Sequence, residues 1–382
     1  MIYIHVPFCL SRCTYCDFYS QTGCRAEAFE RYTSGICDEI ARRRAGIDAT
    51  LDLNTLYIGG GTPSVLPLPY LERIVTALGC GPYSEFTVEV NPDDIVGKGP
   101  EYLDGLRALG VNRISMGVQS LDDGILRWMN RRHGATGARE AFRIVSNTSP
   151  ANPAGAGVSK TVSLPLDPTA DAVPPLMVPR VAQVCGGTAP AGFDRSIDLI
   201  TGVPGMTDKI LGETVDEVLE WRPEHISAYQ LSVEEGSALA RLIAAGKLQE
   251  ASEEQCRRQY ALLCAKLSEA GYRHYEISNW AIPGHEARHN SAYWTRHPYV
   301  GLGPSAHSLE ITADGKQRRS WNSSSVSGWK EEGAEVLSEE EIREERIMLG
   351  LRTDAGAEVD GRHVVIPESD WFVSDEIIAG LL

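Results

Sequence analysis

The chain has 382 residues, of which 42% are hydrophobic and 23% charged, and a formal net charge of −16. Its length exceeds what one hydrophobic core usually reaches and leads us to expect a large α/β domain with a smaller appendage, while the ordinary composition makes a packed core, not disorder, the default. The acidic charge argues against nucleic acid as a main partner, and no basic run offsets it.

In chain order, β-branched or apolar runs occupy residues 2–6, 55–58, 86–90, 113–117, 196–200 and 225–229. Helical patterns separate them, at 28–44, at 101–109 with Gly110 as its C-cap, and at 138–145. Six strands alternating with helices predict βα repeats and a parallel sheet, with functional residues at the C-terminal ends of the strands. Residues 146–191 break the rhythm. They are rich in Pro, Ala, Gly, Ser and Thr and read as an insertion: a surface loop, a small binding element or translated non-coding sequence. After residue 229 the repeat stops. A helix is expected at 253–270, then a cluster of aromatics and histidines at 272–307, and a charged helix at 339–351. The expected division is 1–235 for the barrel, 236–330 for a segment covering its mouth, and 331–382 for an abbreviated C-terminal appendage.

No run of about 18 apolar residues and no cleavable leader pattern is present, so a cytoplasmic location is expected. The chain has nine cysteines, an odd number, and three of them fall within eight residues. That crowding favours metal ligation over a disulfide framework. Cys24, Cys37, Cys80, Cys185, Cys256 and Cys264 are scattered and read as buried or incidental thiols.

The three are Cys9, Cys13 and Cys16, in Cys9-Leu-Ser-Arg-Cys13-Thr-Tyr-Cys16, directly after the first strand. This spacing lets one loop bind three irons of a [4Fe-4S] cluster and leave one iron open to a chelating small molecule. Zinc is the alternative, although structural zinc sites use four ligands and often paired C-x2-C spacings. Gly59-Gly60-Gly61-Thr62-Pro63 follows strand two; it allows close approach of backbone to a ligand, and a tight turn is the plainer reading. Glu89 and Gln119 end strands three and four, and Asn130-Arg131-Arg132-His133 and Asp198 add cationic and anionic groups; strand-end polar residues are otherwise simply solvated, and Asp198 can equally cap a turn.

The C-x3-C-x2-C pattern after a first strand resembles the radical S-adenosylmethionine (SAM) superfamily, whose members reduce that cofactor to a 5′-deoxyadenosyl radical. The resemblance spans the chain outside the insertion and implies a partial (β/α)6 barrel with a smaller C-terminal α/β segment. It also implies that Tyr15 packs on the cofactor and that the glycine run receives the amino group of its methionine moiety. Tyr3-Ile-His-Val-Pro-Phe-Cys9, Gly59-Gly-Gly-Thr-Pro-Ser64, Gly117-Val-Gln-Ser120, Ile197-Asp-Leu-Ile200 and Gly202-Val-Pro-Gly205 together resemble the coproporphyrinogen dehydrogenase branch. Residue by residue, that branch implies SAM contacts at Tyr3, Gly60, Gly61, Thr62, Glu89, Gln119, Arg131 and Asp198.

The branch contains oxygen-independent coproporphyrinogen III dehydrogenases and a group of heme chaperones. The enzymes carry a further cysteine two residues after the triad, where this chain has Phe18, and a longer N-terminal extension, where it starts at strand one. Both features favour the chaperones over an oxidase. Arg288-His289-Asn290-Ser291-Ala292-Tyr293-Trp294 matches the H-N-x-x-Y-W motif of the chaperone group. The resemblance thus implies heme as a third cofactor, held near His289, Asn290, Tyr293 and Trp294, with an imidazole as iron ligand and flat apolar rings for the macrocycle. A core cluster with a satisfied histidine is the plainer reading of these residues, and His285, His297 and His307 are alternative iron ligands. The implied partners are heme, acceptor hemoproteins, with respiratory membrane-bound ones as candidates, and an electron donor. Radical decarboxylation of coproporphyrinogen III is the alternative function, and a tRNA- or peptide-modifying radical enzyme fits the acidic charge and the lack of further cluster cysteines less well.

Overall fold

In the computed structural model, which describes residues 1–148 and 192–382, the first strand β1 (Ile2–Val6) has both faces covered. Ile2, Ile4 and Val6 are wholly buried. Such continuous apolar runs belong to parallel strands packed on two sides. β2 (Thr55–Gly60), β3 (Glu85–Val90), β4 (Arg113–Gln119), β5 (Asp194–Thr201) and β6 (His225–Gln230) follow, each parallel to its predecessor. The six strands and the helices between them form the expected partial (β/α)6 barrel.

The helices are α1 (Ala26–Arg42), α2 (Arg44–Asp48), α3 (Leu68–Leu78), α4 (Pro92–Ala108), α5 (Asp123–Trp128), α6 (Ala135–Asn147) and α7 (Asp208–Trp221). The helix expected at 28–44 is two helices, because Arg43 leaves helical geometry at φ −100°, ψ 13°. α4 starts well before the expected residue 101: the Asn91 side chain caps the Asp93 N–H and Pro92 takes the first position. Gly99, at φ 71°, divides it, and the second half is the predicted helix. Of the expected insertion, Ser146 and Asn147 end α6, and residues 149–191 lie outside the described residues, Cys185 among them.

The alternation ends at β6, but the sheet does not. After α8 (Ala238–Ala244) and α9 (Glu253–Glu269), β7 (Arg273–Glu276) and β8 (Asn279–Ala281) extend it antiparallel beyond β6. After α10 (Arg288–Trp294), β9 (Val300–Leu302) adds in parallel to β1. The nine strands run β7-β8-β6-β5-β4-β3-β2-β1-β9. Both barrel edges are thereby paired, where open ladders would invite other chains.

Residues 236–330 meet the mouth in one place and depart from it in another. At the mouth, the Leu239 N–H of α8 donates to Thr14 O at 2.8 Å. The motif helix α10, expected to cover the mouth, instead lies at the opposite end of the barrel. Its Arg288 and His289 N–H groups donate to the carboxylate of Glu85, the first residue of β3, at 2.8 and 2.9 Å. A buried carboxylate on the first N–H groups of the helix fixes that position.

One hydrophobic core runs from Ile2 to Trp329. The chain continues through an antiparallel sheet, β10 (His307–Ile311), β11 (Gln317–Asn322) and β12 (Glu331–Val336), to α11 (Glu339–Gly350), the hairpin β13 (Ala357–Val359) and β14 (Arg362–Val364), and α12 (Ser374–Ala379). A second small core unites Ile347, Leu351, Val359, Ile366, Trp371 and Ile378. His274 Nδ1 lies 2.8 Å from Glu368 Oε1, and with Cys264 these donor atoms fall within 4.8 Å of one another, joining the C-terminal segment to β7 and α9. Among the described residues no helix is long and apolar enough to cross a membrane.

Candidate functional site

A cavity of about 630 Å³ runs through the barrel from the cysteine loop to α10. Cys9, Cys13 and Cys16 border its upper end in the loop between β1 and α1, held where Gln21 O accepts from the Cys9 N–H at 2.9 Å and Met129 O from the Thr14 N–H at 3.2 Å. All three thiols are free. Burial pushes the Cys9 thiol up and the Cys16 thiol to about 11, so they stay protonated until a metal takes the place of the proton. Arg131 Nη1 approaches Cys13 Sγ at 3.4 Å, and Tyr15 meets the same guanidinium. Three thiols, a cationic donor and, among the described residues, no further cysteine on the cavity wall fit a cluster with one open iron. Phe18 is 61% exposed at the rim.

The glycine run passes directly under this loop. A Cβ on Gly61 would sit 2.9 Å from the carbonyl oxygens of Val6 and Phe8, and one on Gly60, at φ 109°, would sit 2.5 Å from the His5 ring. Here a tight turn and a close approach coincide. Thr62 Oγ1 lies 3.4 Å from Cys9 Sγ. Tyr3 contacts the His5 ring through its hydroxyl at 3.0 Å and borders the same cavity.

Glu89 accepts from the Tyr57 hydroxyl at 2.7 Å and from the Gly60 N–H at 3.0 Å. Burial raises its carboxyl to about 7, with the Tyr57 bond opposing and the charge of Asp198 adding. Asp198 is not at a strand end and caps no turn: it lies within β5, and the Ser115 hydroxyl reaches both its oxygens at 2.9 and 3.0 Å. Burial raises it to about 6. Gln119 closes β4 after a register shift and takes φ 68°, a conformation few non-glycine residues adopt. Arg131 Nη2 donates to Gly117 O at 2.6 Å, which sets the guanidinium between the cysteine loop and β4. Every residue expected to meet SAM borders this one cavity.

The motif helix divides. His289, Asn290 and Tyr293 face the lower end of the cavity, whereas Trp294 borders a separate one of about 790 Å³ between α10, α11 and the β13–β14 hairpin. His289 is 1% exposed; its Nδ1 lies 2.9 Å from Thr55 Oγ1 and its Nε2 3.2 Å from the Tyr293 hydroxyl. Burial lowers the imidazole to about 3, so it is neutral. Tyr293 packs edge-on against His289 and Tyr299. Of the alternatives, His285 is bonded to Asp194 and His297 to Asp52, at 3.1 and 3.0 Å. His307 is exposed and stacked beside Trp321, with neither ring nitrogen hydrogen-bonded among the described residues.

The residues that were not singled out beforehand are Tyr57, Thr87, Arg113, Ser115, Ser196, His225 and Ser227, all on the cavity wall. Thr87 shares a strand and an inward face with Glu89, Ser196 with Asp198, Tyr57 with Gly59, and Arg113 and Ser115 with Gly117, and for these the two-residue period of a strand is the signal. His225 and Ser227 lie on β6, which carries no predicted site residue, and no such signal reaches them.

Residues 3–150 match the family model of the radical SAM superfamily. A protein named heme chaperone HemW from Mycobacterium tuberculosis (strain ATCC 25618 / H37Rv) is 32% identical over 366 residues, which cover 89% of this chain and 80% of that one. HemW from Synechocystis sp. is 31% identical, over 93% of this chain and 78% of the relative. The structure of coproporphyrinogen III oxidase (HemN) from Escherichia coli superposes with a TM-score of 0.65 at 20% identity, over 93% of this chain and 75% of that one, a likeness of fold. The barrel, the position of the cysteine loop on it and the extent of these matches agree: the chain belongs to the HemW heme chaperone family of the radical SAM superfamily.

Proposed function

We propose that the protein binds heme and transfers it to acceptor hemoproteins, and that it carries a [4Fe-4S] cluster on Cys9, Cys13 and Cys16 with SAM at the adjoining cavity wall. The observation that carries this reading is the match, over 89% of the chain, to a relative named a heme chaperone. For the cofactor, support comes from the cavity: Gly60 and Gly61 admit its backbone-contacting end, Glu89 and Asp198 offer acceptors for its ammonium and ribose, and Arg131 offers a cation for its carboxylate. A cluster held by Cys9, Cys13 and Cys16 would supply one-electron reducing chemistry toward a bound sulfonium. A cytoplasmic location is part of the reading, in keeping with eight described cysteines that are all free.

For heme, the reading keeps α10 as the associated element and separates its residues by role. His289 holds Thr55 and Tyr293 at the barrel floor, Trp294 offers an indole at the second cavity, and the exposed His307, with neither ring nitrogen hydrogen-bonded among the described residues, takes an axial position. The acceptor is a hemoprotein, with membrane-bound respiratory ones as candidates, and an external donor reduces the cluster.

The test is anaerobic. Cluster-loaded, reduced protein incubated with SAM and coproporphyrinogen III is expected to give no protoporphyrinogen, while hemin titration shows saturable binding and the bound heme passes to an apo-hemoprotein. Formation of protoporphyrinogen would replace the chaperone reading with the dehydrogenase.

A further inference from the structure

Beneath the residues assigned to SAM, the barrel interior carries hydroxyls, an imidazole and a guanidinium where a packed barrel normally carries branched aliphatic side chains. Most of these groups are satisfied within the protein. Ser115 donates to Asp198, Ser196 Oγ lies 2.8 Å from His225 Nδ1, and His225 Nε2 lies 2.8 Å from the Tyr275 hydroxyl. Two neighbours are not.

Thr87 on β3 and Arg113 on β4 are register partners, are 1% and 3% exposed, and both border the cavity. Thr87 Oγ1 and Arg113 Nη2 have no hydrogen-bond partner among the described residues. Nη1 is anchored: it donates to His285 O at 3.1 Å and lies 3.8 Å from Asp194 Oδ2, a carboxylate that is 40% exposed. The guanidinium is therefore fixed through Nη1, and Nη2 is left buried and without a partner on a residue that borders the cavity. Two carboxylates, Asp194 and the more distant Asp198 whose carboxyl the Arg113 charge lowers, offset the guanidinium, but neither bonds Nη2, and a buried N–H and a buried hydroxyl without partners are costly. An N–H edge beside a hydroxyl donor matches the two oxygens of a carboxylate. Asn279 Oδ1 is also without a partner on this cavity, but it is an acceptor in register with Ser227, and its Nδ2 is spent on Glu276. As an acceptor it does not serve a carboxylate.

We propose that Arg113 and Thr87 form a subsite for one carboxylate on a short alkyl arm, in the lower half of the barrel, one inward position below the Ser115 that holds Asp198. Two sources carry this chemistry: a free short-chain carboxylic acid, or the propionate arm of a tetrapyrrole. The subsite stands on geometry and does not require that the protein be a heme chaperone.

The test uses the cluster-loaded full chain and two isosteric probes, sodium propionate and propionamide, with binding followed by saturation-transfer NMR. Propionate is expected to bind at least tenfold more tightly than the amide, and Arg113→Gln is expected to make the two equal. Thr87→Val weakens propionate severalfold and leaves propionamide unchanged. Equal affinity of the wild-type protein for both probes, or undiminished propionate binding by Arg113→Gln, overturns the proposal. If Arg113→Gln fails to fold because the His285 bond is lost, Thr87→Val decides by the same criterion. Hemin and hemin dimethyl ester distinguish the sources. A tetrapyrrole arm is indicated if esterification weakens binding and propionate competes with hemin; a free acid is indicated if propionate binds without competing. Propionate binding in a protein that does not bind hemin leaves the subsite standing and removes the chaperone reading alone.

Discussion

At the C-terminal end of the barrel strands, thiols and two carboxylates face a cavity with few fixed partners; at the N-terminal end, His289 and Glu85 are bonded in pairs. Glu89 and Asp198 are held by hydroxyls and one backbone N–H, and burial keeps them near neutrality at about 7 and about 6. His289 has both ring nitrogens engaged, and Glu85 is spent on two backbone N–H groups. The same strands thus carry an end arranged for ligands and an end arranged for closure. Arg113 and Thr87 lie between the two and share the open character of the upper end. Buried polar groups become ligand sites where the fold leaves their bonding incomplete and become structural where it completes it.

The largest expected effect at the open end follows removal of a thiol. Cys13→Ala abolishes the cluster, read as loss of iron and of the absorbance of the anaerobically reconstituted protein, whereas Cys24→Ala retains both. At the closed end, His289→Ala removes a buried ring and two hydrogen bonds and costs about 2–4 kcal/mol in denaturant unfolding. Its hemin affinity remains. His307→Ala changes stability by less than about 0.5 kcal/mol and lowers hemin affinity. The reverse pattern would make His289 the iron ligand and erase the distinction between the ends.

Acidity sharpens the same contrast because its sign differs. The carboxyl of Glu89 is raised from 4.5 to about 7 in the fold. Its contribution is fully present below the unfolded value and is lost as pH rises toward 7, a decrease of about 3 kcal/mol in the SAM-free protein that Glu89→Gln removes. SAM binding strengthens over the same interval, since the cofactor's ammonium meets an ionised carboxylate. For His289, lowered from 6.5 to about 3 by burial, stability is present above the unfolded value and is lost as pH falls from about 6.5 toward 3. Unfolding free energies measured across pH 3–8 on the wild type, Glu89→Gln and a His289 variant separate the two slopes. The smallest effect belongs to the rim: Phe18, exposed beside the cluster loop, tolerates Ser within about 0.5 kcal/mol and with the cluster retained.

Much of the upper end was legible in advance because its signals are local. Three thiols fit in one loop, and the glycines at 60 and 61 are required by a backbone that passes within van der Waals distance of Val6, Phe8 and His5. The sequence pattern shows α4 only in its second half, since Gly99-Pro100 resembles a break more than a division within one element. The H-N-x-x-Y-W motif suggests one surface, although residues 289 and 294 of a helix point in different directions and each meets a different cavity. Nothing in the motif itself says at which end of the barrel it lies.

The sequence by itself determined the repeat of six strands, the loop that gathers Cys9, Cys13 and Cys16, and the glycine turn beneath it, because these depend on periodicity and on contacts among residues near in the chain. Only the tertiary structure decided that β7, β8 and β9 complete the sheet and that Glu85 fixes α10 to the barrel floor. It likewise decided that Thr55 and Tyr293 occupy the imidazole of His289, and that Thr87 Oγ1 and Arg113 Nη2 are left without partners among the described residues. Those outcomes are pairings between residues as many as 298 positions apart, as in Ile2 with Val300, and a buried polar group's role is set by whether such a distant partner arrives.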